Sequence, residues 1–150
     1  MIKDKRINTA IQARLSEIKK IYQRHPEIEF LYLFGSHGRG RPGPLSDVDL
    51  AVHLDDSIPA DSYLQTSMDL MGEFSQLLQT DEVDVVILNR APLSLQYHIV
   101  FERRLLYERH RLKRILFETR VIDLFLDTEP LRATSRDYLK AQIKRGAFVG

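Results

Sequence analysis

Cysteine is absent from the 150-residue sequence. A structural disulfide, a thiolate metal site and a cysteine nucleophile are therefore excluded. The composition fits a reducing compartment, so the cytoplasm is the default expectation. A chain of this length can bury a core without cross-links, and we expect one domain spanning residues 1–150.

Long apolar runs and a strong net charge are also missing. No stretch approaches the roughly 18 apolar residues that are needed to cross a bilayer. The N-terminal segment MIKDKRINTA lacks the apolar core of a secretory signal. We therefore expect a soluble protein with no membrane partner. The formal net charge of +1 gives no global argument for a nucleic-acid partner.

Hydrophobic periodicity predicts helices that alternate with short strands. The pattern gives, in order, a helix over 7–24, strands over 29–34 and 47–54, a helix over 61–79, a strand over 83–88, a helix over 93–101, an extended piece over 104–107 and a helix over 108–126. The remaining segment, 128–150, is a helix, an arm or a partly disordered tail. This order predicts an α/β (α+β) fold with a small mixed β-sheet flanked by helices.

Two aspartates, Asp47 and Asp49, lie on the second predicted strand. Because side chains alternate along a strand, both carboxylates project from the same face, where we also expect a solvent-facing His53. Such a pair either lies in a solvated turn or binds a divalent cation between its charges. For an isolated Asp-x-Asp the turn is the usual explanation.

A third carboxylate changes this balance. Asp84 interrupts the apolar strand pattern EVDVVIL, where an unpaired charge is costly to bury. If this strand lies beside the second one, Asp84 joins Asp47 and Asp49. Three oxygen donors with open water positions suit Mg²⁺ or Mn²⁺. The alternative is an ion pair between Asp84 and Arg39, Arg41 or another cation.

A glycine-rich turn separates the first two strands and begins with Gly35 and Ser36. Glycine permits a sharp bend and lets the backbone approach a ligand closely. Ser36 either caps a short helix or belongs to a helix N-terminus that binds phosphate. The spacing matches neither a P-loop nor a dinucleotide-binding glycine motif, so the pair alone is weak evidence.

The combined pattern is more specific. Four pieces of this sequence, taken together, resemble the motif of the minimal nucleotidyltransferases of the DNA polymerase beta superfamily. They are Gly35-Ser36, Arg39-Gly40, Ser46-Asp47-Val48-Asp49-Leu50 and Asp84. The match is strong over residues 33–52 and looser over 93–108. The resemblance implies a DNA polymerase beta-like nucleotidyltransferase fold.

The resemblance also implies roles for single residues. Gly35-Ser36 would hold the triphosphate of ATP, and Arg39 would steady the turn or contact phosphate. Asp47 and Asp49 would bind two metal ions, Mg²⁺ or Mn²⁺. Asp84 would complete the metal site and accept the proton of the attacking hydroxyl.

Within this superfamily, this small chain most resembles the antitoxin of HEPN/MNT toxin–antitoxin pairs. That resemblance implies transfer of AMP from ATP to a tyrosine of a HEPN ribonuclease toxin, with release of pyrophosphate. Two alternatives are open. The chain is a binding module that masks the toxin through its C-terminal helices, or it modifies a small hydroxylated molecule such as an aminoglycoside. Nucleic acid is not expected as a direct substrate.

Basic residues concentrate in the segment 103–120. They either bind nucleotide, RNA or an acidic partner, or form a solvated face beside an apolar packing stripe. The interspersed leucine and isoleucine residues favour the packing stripe.

Overall fold

The computed structural model describes residues 15–34, 48–102 and 104–146. The helices and strands in these ranges are, in chain order, α1 (Leu15–Arg24), β1 (Ile28–Phe34), β2 (Val48–Leu54), α2 (Tyr63–Leu78), β3 (Val83–Ile87), α3 (Leu93–Glu102), β4 (Arg104–Glu108), α4 (Arg111–Asp127) and α5 (Glu129–Lys144). Short 3₁₀ turns, Ala60–Ser62 and Leu88–Arg90, precede α2 and follow β3. None of these helices is both long and apolar enough to span a bilayer.

The four strands form one sheet in the order β3-β2-β1-β4. β1 pairs antiparallel with both β2 and β4, whereas β2 and β3 are parallel. Parallel neighbours need a crossover connection, and α2 lies in the segment that joins β2 to β3. The predicted α/β fold with a small mixed sheet is therefore confirmed.

Both faces of the sheet are covered. One face buries Leu31 and Leu33 of β1 in a cluster that includes Phe74 of α2 and residues of α1. The opposite face buries Phe30 and Tyr32 in a second cluster with residues of α3 and α4. Because β1 is central and has apolar side chains on both faces, six of its seven residues are buried. The sheet is thus the middle layer of three.

A buried network fixes α4 against β1. The Tyr32 hydroxyl donates a hydrogen bond of 2.6 Å to Oε1 of Glu118. Glu118 is buried, with only 5 % of its surface exposed. Nη1 of Arg114 donates to the same oxygen at 2.9 Å, and Nε of Arg114 donates to Glu108 at 2.5 Å. A carboxylate buried at this position needs such partners, because leaving it unpaired would destabilise the fold.

The ends of several elements differ from the sequence prediction. The helix predicted over 108–126 begins at Arg111, because Glu108 pairs with Phe30 as the last residue of β4. The segment 128–150 is helical in α5, so the helix is the correct option for that part. The predicted helical residues 7–14 lie outside the described ranges. The single-domain division of residues 1–150 stays a prediction.

The basic segment 103–120 contributes to internal packing. Arg109 donates to the carbonyl of Tyr22 at 3.0 Å, and its guanidinium lies 4.4 Å from the centre of the Tyr22 ring. Lys113 donates to Oε1 of the buried Glu29 at 2.9 Å. Both cations are exposed, but they contact groups of this domain. These contacts favour a role in packing over a nucleic-acid surface.

His25 joins the end of α1 to α2. Its Nδ1 lies 2.8 Å from Oε1 of Glu27, and its Nε2 lies 2.6 Å from Oε2 of Glu73. Burial alone would lower the pKa of His25, but hydrogen bonds to the two carboxylates outweigh burial and raise it. The protonated imidazole is therefore the form that holds the two helices together.

The raised pKa of His25 predicts pH-dependent stability. The folded-state pKa lies above the value of about 6.5 in the unfolded chain, so the stabilisation is complete below about pH 6.5 and is lost as pH rises through the folded pKa. Urea unfolding of wild type and His25→Gln measures this effect. The difference in unfolding free energy should be largest between about pH 5 and 6.5 and should shrink towards pH 9. His110→Gln, at an exposed position, is the control; a pH-independent difference for His25→Gln would contradict the prediction.

Candidate functional site

Asp49 and Asp84 lie side by side in the sheet. The parallel register of β2 and β3 makes their Cα atoms direct partners. Paired residues on neighbouring strands project from the same face, and the strands are about 4.8 Å apart. The third strand therefore lies beside the second, which is the arrangement that the sequence argument required. Two carboxylates that are 35 positions apart in the sequence are therefore neighbours on one face of the sheet.

The C-terminal end of β1 completes this edge of the sheet. Phe34, the last residue of β1, is the Cα partner of Asp49. Gly35-Ser36 directly follows Phe34 in the sequence, and Asp47 comes two residues before Asp49. Asp47, Gly35-Ser36 and Arg39 lie outside the described residues. Their predicted roles, like those of the two described aspartates, stay predictions.

The two described carboxylates differ in exposure. Asp84 is exposed, whereas Asp49 is half-buried. Within the described ranges no hydrogen bond or ion pair engages Asp84, so the alternative of an ion pair with a cation finds no support there. The same ranges contain no group of three His, Cys, Asp or Glu side chains that could hold a metal ion. The third predicted donor, Asp47, lies outside them.

An apolar floor continues from the carboxylates along both strands. Two residues further, Ala51 of β2 pairs with Val86 of β3 on the same face. Ala51 is fully buried and belongs to the cluster that contains Ile99 of α3. The apolar side therefore begins two residues from the carboxylates, and the exposed Asp84 lies at its border. Charged groups at such a boundary interact more strongly than in bulk water.

His53 does not face solvent, so that expectation was wrong. Its side chain is 17 % exposed, its Nδ1 lies 3.0 Å from Oε2 of Glu29, and its ring stacks on Phe30 with centroids 4.6 Å apart. Phe117 of α4 covers the same ring, and burial lowers the pKa of His53. His53 is four residues from Asp49, about 13 Å along the strand, and therefore supports packing rather than the carboxylate site.

Comparison with known proteins agrees with this geometry. A family model described as "Polymerase beta, Nucleotidyltransferase" matches residues 16–112. The matched span contains both paired aspartates and the glycine-rich segment that begins at Gly35. No curated protein matches the sequence.

Solved structures share the fold. A chain in a crystal structure of a toxin–antitoxin with AMP-PNP is 24 % identical, with 84 % of this chain and 98 % of that chain covered and a TM-score of 0.67. A chain in the tri-AMPylated Shewanella oneidensis HEPN toxin in complex with MNT antitoxin is 22 % identical, with coverages of 86 % and 98 % and a TM-score of 0.65. A chain of the toxin–antitoxin MntA-HepT is 23 % identical, with the same coverages and a TM-score of 0.64. At these identities the likeness shows a common fold.

Proposed function

Because the chain belongs to the polymerase beta nucleotidyltransferase family, we propose that it is an antitoxin enzyme that transfers AMP from ATP to a tyrosine hydroxyl of a HEPN ribonuclease toxin. The pairing of Asp49 with Asp84 on neighbouring parallel strands carries this proposal. The neighbours support the choice of substrates, since one complex contains AMP-PNP and another contains an AMPylated HEPN toxin. We place the reaction in the cytoplasm.

The donor set fits a hard divalent cation. We propose that Asp47, Asp49 and Asp84 hold Mg²⁺, for which Mn²⁺ can substitute. Two neighbouring carboxylates repel each other, and the exposed Asp84 has no cationic partner within the described ranges. When bound, the metal supplies positive charge to the phosphate oxygens and to the attacking oxygen.

The chain's own residues position the reaction. The tyrosine oxygen forms a bond to the α-phosphorus of ATP, and the bond from that phosphorus to the bridging oxygen breaks, so pyrophosphate leaves. Asp84 accepts the phenolic proton. Gly35-Ser36 and Arg39 hold the phosphates, and strands on both sides of β2 fix the backbone of Asp49. The contribution is mainly position and charge stabilisation.

Transfer of label tests this function. We expect ATP labelled at the α-phosphate, with Mg²⁺, to label a purified HEPN ribonuclease toxin that this chain binds. The double variant Asp47→Ala with Asp49→Ala should remove the label and keep the fold, because it deletes two proposed metal ligands. Circular dichroism is the control for folding. Unchanged labelling by the folded double variant would rule out the metal assignment.

The masking alternative is favoured by one observation on α5. This helix contains no buried residue, and it exposes four large apolar side chains: Leu131, Tyr138, Leu139 and Ile143. Such a helix gains stability from a partner, because isolated helices of this length are marginal in water. Growth assays distinguish the two functions. If the carboxylate-free variant protects cells from the toxin at ordinary expression, masking explains the antitoxin effect and catalysis does not.

A further inference from the structure

The direction of α4 places its last turns at the carboxylate edge. Lys113 contacts Glu29, and five residues later Glu118 contacts Tyr32. From Glu29 to Tyr32 the strand rises about 10 Å, and from Lys113 to Glu118 the helix rises about 7.5 Å. α4 and β1 therefore run in the same direction along this part of the sheet. The part of α4 after residue 121 reaches the end of β1 that pairs with the candidate carboxylate site.

An exposed apolar surface occurs at this edge. Phe101 is 76 % exposed, Leu126 is 57 % exposed and Ile122 is 36 % exposed. Phe101 and Ile122 line the same crease of about 190 Å³ between α3 and α4, and Leu126 lies one helical turn beyond Ile122. Phe101 comes three residues before Arg104, the Cα partner of Leu33 near the end of β1. It therefore lies near the same end of the sheet as Asp49 and Asp84, on the β4 side of β1. We call Phe101, Ile122 and Leu126 the apolar platform.

Two acidic residues border the apolar platform. Asp123 and Asp127 follow Ile122 and Leu126 by one position each, so they project about 100° further around α4. Both are exposed, and neither forms an ion pair within the part of the chain that the structure describes. The C-terminus of α4 adds a partial negative charge at the same place. We call Asp123 and Asp127 the acidic rim.

This charge distribution indicates the kind of partner. An apolar surface with unpaired acids at its border attracts a segment in which apolar side chains are flanked by lysine or arginine. Two copies of this chain that met platform to platform would bring like charges together, which is unfavourable. The platform also lies on the face of the sheet that α3 and α4 cover, which is the face of Asp49 and Asp84.

We propose that the apolar platform and the acidic rim dock the segment of the protein acceptor that flanks the reactive tyrosine. The segment contributes apolar side chains to Phe101, Ile122 and Leu126, and basic side chains to the acidic rim. This inference rests on the proposed function, because it names where that enzyme holds its acceptor. Docking beside the carboxylates brings the tyrosine to the nucleotide and excludes acceptors that lack the basic, apolar segment.

Steady-state kinetics with the HEPN toxin that serves as acceptor tests the docking surface. Phe101→Ser, and separately the pair Asp123→Lys with Asp127→Lys, should each raise KM for that protein about tenfold and leave kcat unchanged. Affinity without ATP should fall by the same factor. Leu64→Ser is the matched control, since Leu64 is 72 % exposed on α2 across the sheet. Asp61→Lys is the control for charge reversal.

The outcomes separate the docking surface from the proposed function. Asp84→Asn should slow transfer about a thousandfold and bind the HEPN protein as wild type does. If wild type transfers nothing but the platform variants still lose affinity, the proposed function fails and the docking surface stands. Unchanged KM and affinity in both platform variants would overturn the docking surface. Light scattering completes the test: a wild-type dimer that the platform variants convert to monomer would identify a second copy as the occupant and would also overturn it.

Discussion

Asp84→Asn is expected to lower kcat for AMP transfer about a thousandfold, because the carboxylate serves both as a metal ligand and as a proton acceptor. The free energy of unfolding should change by less than about 0.5 kcal/mol, since Asp84 is exposed and has no hydrogen bond or ion pair within the described ranges. Single-turnover transfer of labelled AMP gives the rate, and urea unfolding gives the stability.

Matched variants make this result specific. Asp81→Asn removes an exposed carboxylate just before β3 and should leave kcat unchanged. Asp84→Glu keeps the charge but moves it by one methylene, so it should recover only part of the rate. A loss of less than tenfold in Asp84→Asn would show that Asp84 is not part of the reaction. An equal loss in Asp81→Asn would show that general surface charge, rather than the paired carboxylates, supports transfer.

Removal of divalent ions is the second large effect. Dialysis against EDTA should abolish AMP transfer, and added Mg²⁺ or Mn²⁺ should restore it. The reason is that Asp49 and Asp84 are partners on neighbouring strands, and within the described ranges no cationic side chain pairs with Asp84. A readout independent of activity is thermal unfolding. A ligand that binds only the folded state at a hundred times its Kd stabilises it by about 2.7 kcal/mol.

The neutral variant Asp49→Asn with Asp84→Asn is the control for metal binding. Mg²⁺ should raise the unfolding temperature of wild type and should not raise that of this variant. Without metal, Asp84→Asn alone should be at least as stable as wild type, because the exposed Asp84 has no partner within the described residues and lies beside the like charge of Asp49. Full transfer activity in EDTA, or equal stabilisation of both proteins by Mg²⁺, would contradict the metal assignment.

The sequence predicted the elements well because each has a clear periodicity. The alternation of Val48, Leu50 and Val52 correctly identified one core face of β2, where all three are buried. The position of Asp84 opposite Asp49 needed one further fact, the parallel pairing of β2 with β3. The periodicity of a strand does not show which strand lies beside it, so the sequence alone could not establish that β2 pairs with β3.

Features that depend on contacts between distant residues were missed. Glu118 belongs to a charged helical pattern and looks exposed in the sequence. In the structure it is buried, and the hydroxyl of Tyr32, 86 positions away, donates a hydrogen bond to its carboxylate. His53 looked solvent-facing because α4 was not assigned to that side of the sheet. A buried polar residue is recognised only when its partner is known, and long-range packing decides that partner.

Intact-mass analysis of the HEPN protein, expressed together with this chain, tests the central claim most directly. With wild type, the mass of the HEPN protein should increase by one or more AMP groups, and with Asp84→Asn it should not increase. An unmodified HEPN protein in the presence of folded wild-type chain, ATP and Mg²⁺ would contradict AMP transfer and would leave masking as the explanation of the antitoxin effect.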